Sequence, residues 1–313
     1  MKKILIKLII ISMCLIMSIP SFAGDYEKDL SADEPDSTYL DSLKRNPVVD
    51  YEKRYQETLE MLQEDARRSV EPYIDDYIYA LSDTSKDRRY IAAFELGRSQ
   101  DKRVIPYLEK LLLEDPASIV RTQCAKALSS LKSIASQPVL IEAMKDSEEE
   151  VRLQSALTLA SLGDTTYCIP VLEELWKFGD RRTRRFVNRG FKNIGTERAV
   201  QNLREAINDD DPYVAGIAAI QLAKLRYFED AFPSLKKLLK HKDPLIRCGA
   251  LKGLFYIGDK ASLQLIREML NDEEIRVRNR ARKFLTDYNE EVPEEDKQGS
   301  MRNYDPRCRG CLC

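Results

Sequence analysis

A large apolar residue returns every 31 or 32 positions along much of this chain: Leu96, Leu128, Leu159, Phe191, Leu222, Leu254 and Leu285. A period of that length marks one supersecondary unit repeated side by side, and it restricts the fold more than any other feature of the sequence. Seven residues before each of these stands a second column. It holds Arg89, Arg121, Arg152, Arg184, Arg247 and Arg278, and only Ala215 departs from it. Three residues before the large apolar column the side chain is mostly small (Ala93, Ala125, Ala156, Ala219), with Asn188, Leu251 and Arg282 as exceptions. Leu131, Leu162, Ile194, Leu225 and Ile257 follow ten residues after the arginine positions. Offsets of three and seven fall on one face of an α-helix. Gly163, Gly195 and Gly258 come next, where a helix can close on a left-handed residue.

A second helix completes each unit. Pro106, Pro138, Pro170 and Pro233 recur in register, and the spacing places them in its first turn, where a missing N–H costs nothing. Acidic turns such as Glu114-Asp115-Pro116, Asp146-Ser147 and Asp243-Pro244 separate it from the next arginine-bearing helix and suit that helix's positive end. A single hairpin cannot bury enough apolar area to offset the roughly 1–2 kcal/mol of backbone entropy per ordered residue. Stacked hairpins share a core, so the expected architecture is an all-α solenoid of about seven repeats.

The segments VRTQCAKALSSL, VRLQSALTLASLG and IRCGALKGLFYIG resemble HEAT repeats, in particular the short phycobilisome-lyase HEAT-like class. The resemblance implies a right-handed α-α superhelix of the HEAT/armadillo type, with the arginine-bearing helices lining the concave side. It also implies a structural role for the arginine column, each member tied to an acidic turn residue of its own or a neighbouring repeat.

The expected organisation has five parts. Residues 1–23 read as a signal peptide: Lys2, Lys3 and Lys7 precede an apolar run, and Ser21-Phe22-Ala23 offers a cleavage site. Residues 24–50 form an acidic, unstructured tail, 51–82 an N-terminal helical cap, 83–287 the repeat array, and 288–313 a cysteine-containing unstructured tail. The protein is accordingly expected to be exported, periplasmic or secreted, with no membrane span once the leader is removed. Cleavage leaves 47 basic against 52 acidic side chains, a balance unsuited to a general nucleic-acid binder.

Three groups of residues invite a chemical role. KFGDRRTRRFVNRGFK, residues 177–192, holds seven basic side chains and one acid. Its Arg181, Arg182, Arg185, Arg189 and Lys192 surround the start and one side of the fourth arginine-bearing helix, an arrangement suited to an anionic ligand or an acidic protein segment. The bland alternative is a solvated face balanced by neighbouring acids. Cys308, Cys311 and Cys313 form a CxxCxC cluster suited to a disulfide, within the chain or with a partner, or to a soft metal, although zinc prefers four ligands and nothing nearby in the sequence completes the set. Cys124, Cys168 and Cys248 fall within helical units as buried thiols. Trp176 and Phe178, at helical spacing, suit the core, and the single histidine, His241, suits an exposed turn.

No Ser/His/acid set, phosphate-cradling glycine loop or zinc signature is present in the sequence. The iron-binding His-Glu pairs of the related deoxyhypusine hydroxylases cannot be built from one histidine. The expectation is therefore a non-catalytic scaffold of the cell envelope, without cofactor or catalytic residues, that binds a protein partner along its concave face. Bilin lyases are the enzymatic alternative within the resemblance, although an exported protein would not meet their usual substrate.

Overall fold

The computed structural model describes residues 47–288 and Glu290, and every regular element among them is an α- or 3-10 helix. The expected signal peptide, most of the acidic segment and the CxxCxC cluster lie outside the described residues. Helix α1 spans Pro47–Val70 and α2 Ile74–Ala80. Seven arginine-column helices follow: α3 (Lys86–Arg98), α5 (Ser118–Ser130), α7 (Glu149–Ser161), α9 (Arg181–Ile194), α11 (Pro212–Lys224), α13 (Pro244–Ile257) and α15 (Ile275–Asp287). Between them stand α4 (Ile105–Glu114), α6 (Gln137–Ala143), α8 (Cys168–Phe178), α10 (Glu197–Ala206), α12 (Phe228–Leu238) and α14 (Lys260–Glu268). The chain forms two compact units: Leu59–Val214, and the described residues up to Thr58 together with those from Ala215 onward. The division falls where alanine replaces the arginine of the column.

All seven members of the large apolar column, Leu96 to Leu285, are completely shielded from solvent. In the first unit α3 packs on α5, α5 on α7 and α7 on α9; in the second α13 packs on α15. Small residues permit this stacking. A Cβ on Gly97 would come within 2.8 Å of the Cα and Cβ of Ala127 on the next helix. In the second unit Phe255 stacks on Phe284 at 4.5 Å between ring centroids, and Tyr288 meets Phe255 edge-on at 5.3 Å.

The arginine column joins one turn to the next. Arg121 donates from Nη1 to the Asp115 carbonyl of the turn before its own helix (2.8 Å) and grips Asp146 of the following turn through Nε and Nη2 at 2.7 and 2.8 Å. Arg89 does the same with the Asp83 carbonyl and Asp115, and Arg247 with the His241 carbonyl and Asp272. Each of these aspartates also accepts a backbone N–H two residues on: Asp115 from Ala117, Asp146 from Glu148 and Asp272 from Glu274. One carboxylate therefore fixes its own turn and receives the fork of the preceding helix. Arg184 engages Asp209 more loosely: its Nη2 donates to Oδ1 at 3.3 Å, while its Nε, 2.9 Å from Oδ2, makes no hydrogen bond. Arg152 keeps the two turn carbonyls, of Asp146 and Ser147, but Phe178 stands where the aspartate would be, six residues before the next member of the column.

A left-handed residue closes six of the seven column helices: Gln100, Lys132, Gly163, Gly195, Arg226 and Gly258, with φ between 50° and 89°. The glycines are the three positions the sequence marks; the other three carry side chains in a conformation that L-residues resist.

Three expectations need correction. Helix α1 begins at Pro47, inside the segment assigned to the acidic tail, because proline at the first helical position leaves an amide that is unsatisfied in any case. Tyr288, assigned to the C-terminal tail, instead donates its hydroxyl to the Phe255 carbonyl at 2.6 Å, and burial pushes its pKa up. Pro233 lies inside α12, not in its first turn: the helix starts at Phe228, with Glu229 and Asp230 favouring its positive end.

Two outcomes follow from these joints. Arg121→Ala lowers stability by about 2–3 kcal/mol in urea denaturation, because Asp146 is left desolvated and unpaired while some solvent still reaches the site. Burial raises the Asp146 pKa, but the bonds from Arg121 and the Glu148 amide outweigh it and hold the carboxyl below its ordinary value. The joint's contribution is therefore complete above about pH 4 and is lost as pH falls through the folded pKa, a loss that Arg121→Ala removes. Lys132→Gly raises stability by about 0.5–1 kcal/mol, since left-handed strain is relieved at a modest entropic cost in the unfolded chain.

Candidate functional site: an arginine–aromatic surface on α9

Helix α9 begins at the Asp180 N-cap, whose carboxylate accepts the Thr183 amide at 2.7 Å. Its buried stripe (Val187, Asn188, Phe191, Ile194) packs into the repeat. The basic residues are thereby left along the accessible side. Arg181 and Arg182 occupy the first turn, next to the positive end of the helix dipole, where a cation is disfavoured by about 0.3–1 kcal/mol. Fold stability gives no reason for such a placement, whereas an arriving anion is favoured by both the side chains and the helix end.

Two rings organise these guanidinium groups. Arg181 and Arg185 each lie 5.7 Å from the Tyr213 ring centroid, and Arg182 and Arg189 lie 5.7 and 5.5 Å from that of Phe186. A guanidinium stacked on a ring keeps the N–H donors in its plane available for a carboxylate or phosphate. Arg181 pairs with Asp211 at 3.3 Å and Arg182 with Glu150 at 3.4 Å; both arginines remain about 60% exposed, so these pairs are weak and readily exchanged. The Nε of Arg185 is buried without a hydrogen-bond partner. Lys126 of α5 extends the surface: burial pulls its pKa down, Glu150 opposes this and Arg182 adds to it. Lys192 lies half-exposed, three residues beyond Arg189.

The structure thus gathers Arg181, Arg182, Arg185 and Arg189 around two aromatic rings that the sequence reading passed over. The repeat period held a signal for one of them. Tyr213 stands nine residues before Leu222, as Arg182 does before Phe191 and Glu150 before Leu159, so all three share one position in successive repeats. Asn188, which interrupts the small-residue column, is fully buried; its Nδ2 donates to the Val214 carbonyl at 3.3 Å while Oδ1 has no partner.

Elsewhere Arg278 bonds the carbonyls of Asp272 and Glu273, its own turn. Cys124, Cys168 and Cys248 are buried free thiols, and burial pushes the Cys168 thiol up to about 12. Phe178 is not in the core: it is 75% exposed, with the Lys177 ammonium 5.2 Å from its ring centroid, because α8 ends there and turns its last residues outward. His241 is half-buried and accepts the Asp243 amide on Nδ1, an internal turn contact that draws it in from solvent. Among the described residues no group of three His, Cys, Asp or Glu is placed to hold a metal ion, and no helix is long and apolar enough to cross a membrane. Cys308, Cys311 and Cys313 lie outside the described residues.

The profile of HEAT repeats matches residues 74–159, 137–223 and 203–286. The chain is 29% identical over 213 residues to a phycocyanobilin lyase subunit alpha from Picosynechococcus sp., covering 65% of this chain and 71% of that protein. Among solved structures it is similar to the complex of CpcE and CpcF of phycocyanin lyase from Nostoc sp. PCC7120. There the identity is 22%, the TM-score 0.51, and the coverage 72% of this chain and 91% of that one. The expectation of a non-enzymatic protein is corrected by these relatives, since both are subunits of lyases. Sequence reasoning erred by demanding a catalytic constellation within a single chain.

Asn188→Ala changes the stability to urea by no more than about 1 kcal/mol, because the lost 3.3 Å bond is offset by removal of an unpaired buried carbonyl. Ala156→Asn at the equivalent position of α7 costs more, about 2 kcal/mol, because overpacking and polar burial act together.

Proposed function

The chain belongs to the HEAT repeat family, and from that premise we propose that it is a subunit of a lyase-type enzyme that holds a carboxylate-bearing linear tetrapyrrole of the bilin kind. The observation that carries this reading is the 213-residue similarity to a phycocyanobilin lyase subunit. The geometry of α9 supplies what such a ligand needs. Arg181, Arg182, Arg185 and Arg189 offer forked donors to its carboxylates, and Phe186 and Tyr213 offer flat apolar faces to a conjugated ring system. In this reading the subunit binds and orients the pigment, and a protein partner carrying acidic groups engages the same run of arginine-bearing helices. Protein is favoured over nucleic acid as that partner because acids outnumber bases once the leader is removed.

Export is part of the proposal and rests on the leader-like residues 1–23, which place the work in the periplasm or outside the cell. Expressed in its native host, the mature protein should begin at Gly24 by intact mass; a cytosolic protein retaining Met1 overturns this part alone.

Titration with biliverdin, read by absorbance, tests the ligand. Saturable red-shifted binding is expected, weakened about tenfold or more by Arg185→Ala with Arg189→Ala, as the removal of two charge-assisted hydrogen-bonding groups predicts. Absence of any spectral change in the intact chain overturns the reading.

A further inference from the structure

A second surface lies in the other compact unit, apart from α9. Two residues after Leu222, Leu254 and Leu285 the column helices carry Lys224, Tyr256 and Asp287, one from each of α11, α13 and α15. Lys224 and Tyr256 face the first half of α1. Glu52 accepts the Tyr256 hydroxyl at 2.8 Å and lies 3.4 Å from the Lys224 ammonium, which itself sits 4.6 Å from the centroid of the Tyr256 ring. Arg54 lies within electrostatic reach of Asp287, whose Oδ2 is buried without a hydrogen-bond partner. Residues up to Thr58 accordingly belong with the C-terminal helices, although their neighbours in sequence from Leu59 belong with the other unit.

The chemistry of this contact is that of a removable guest. The docked half of α1 reads DYEKRYQET from Asp50 to Thr58 and is mostly polar. Glu52 keeps 35% and Lys224 22% of its side-chain surface exposed, so the ion pair is partly solvated and contributes little to affinity. Tyr256, only 8% exposed, supplies the specific bond. At the same position in the first unit, Arg98 pairs with Glu95 and Ser161 with Ser129, both on column helices, whereas Lys224 and Tyr256 reach a segment some 170 to 200 residues away.

We propose that Lys224 and Tyr256 form a docking surface for a partner's helix that presents a carboxylate to both. Residues 47–58 occupy that surface in the free chain and are displaced when the partner binds. The inference is independent of the pigment reading, since it uses no residue of α9.

The test keeps the full chain. Glu52→Lys sets a cation against Lys224, and Tyr256→Phe removes one hydroxyl with little risk to the fold. Hydrogen exchange of the amides of residues 53–58, followed by mass spectrometry, should quicken about tenfold in Glu52→Lys and about threefold in Tyr256→Phe. The first substitution removes both the ion pair and the tyrosine hydrogen bond and adds a repulsion, whereas the second removes the hydrogen bond alone. A fluorescein-labelled peptide of residues 47–58 should then bind the Glu52→Lys chain at least tenfold more tightly than the unaltered chain. Adding Tyr256→Ala should abolish that binding. Unchanged exchange in Tyr256→Phe overturns the proposal, and so does equal peptide affinity for the Glu52→Lys and unaltered chains.

Discussion

The structure depends on one shared carboxylate. In a turn such as 115–117 the aspartate accepts a backbone N–H two residues on, a bond that shapes the turn, and both its oxygens receive the forked donors of the arginine one helix earlier. A lone carboxylate withdrawn from water costs several kcal/mol, as does a lone guanidinium, and each makes the other tolerable. The arginine's remaining nitrogen bonds the carbonyls of its own preceding turn. Three successive pieces of chain, turn, helix and turn, are locked by one ion pair, while the leucine column beneath supplies the less directional attraction.

The pair is missing where the repeat does something else. Arg152 has Phe178 where the others have an aspartate, and Phe178 lies in the basic run that leads into α9. Alanine at 215 marks the point where the two units divide. Departure from the joint chemistry thus coincides with the arginine–aromatic surface in one case and with a boundary in the other. On α9 Arg182 and Arg189 lie over the Phe186 ring, which holds the guanidinium plane without consuming its donors.

Most of the fold was legible in the sequence because its determinants are periodic. Leu96 through Leu285 declare the core, and the spacing of Gly163, Gly195 and Gly258 declares the helix ends. What stayed hidden was aperiodic or made at long range. Gln100, Lys132 and Arg226 take the same left-handed conformation as those glycines, and their residue types do not announce it. The start of α12 was misplaced because Pro233 resembles the N-terminal prolines of α4 and α6, yet lies a turn further in. At the candidate site the cations were evident as a charge run, whereas Phe186 and Tyr213 became relevant only once adjacent helices were set side by side. The bond between Glu52 and Tyr256 spans 204 positions and leaves no local trace.

The joint also bears on how such a chain changes over generations. Because the arginine belongs to one hairpin and its aspartate to the next, a unit with both residues in place carries one half of two couplings and completes neither alone. A copied segment of 31 or 32 codons would arrive with both halves in phase, so that the new seams close with the chemistry already in use. Lengthening or shortening by whole hairpins is thereby cheap, whereas an insertion of any other size would break the register of every coupling it touched.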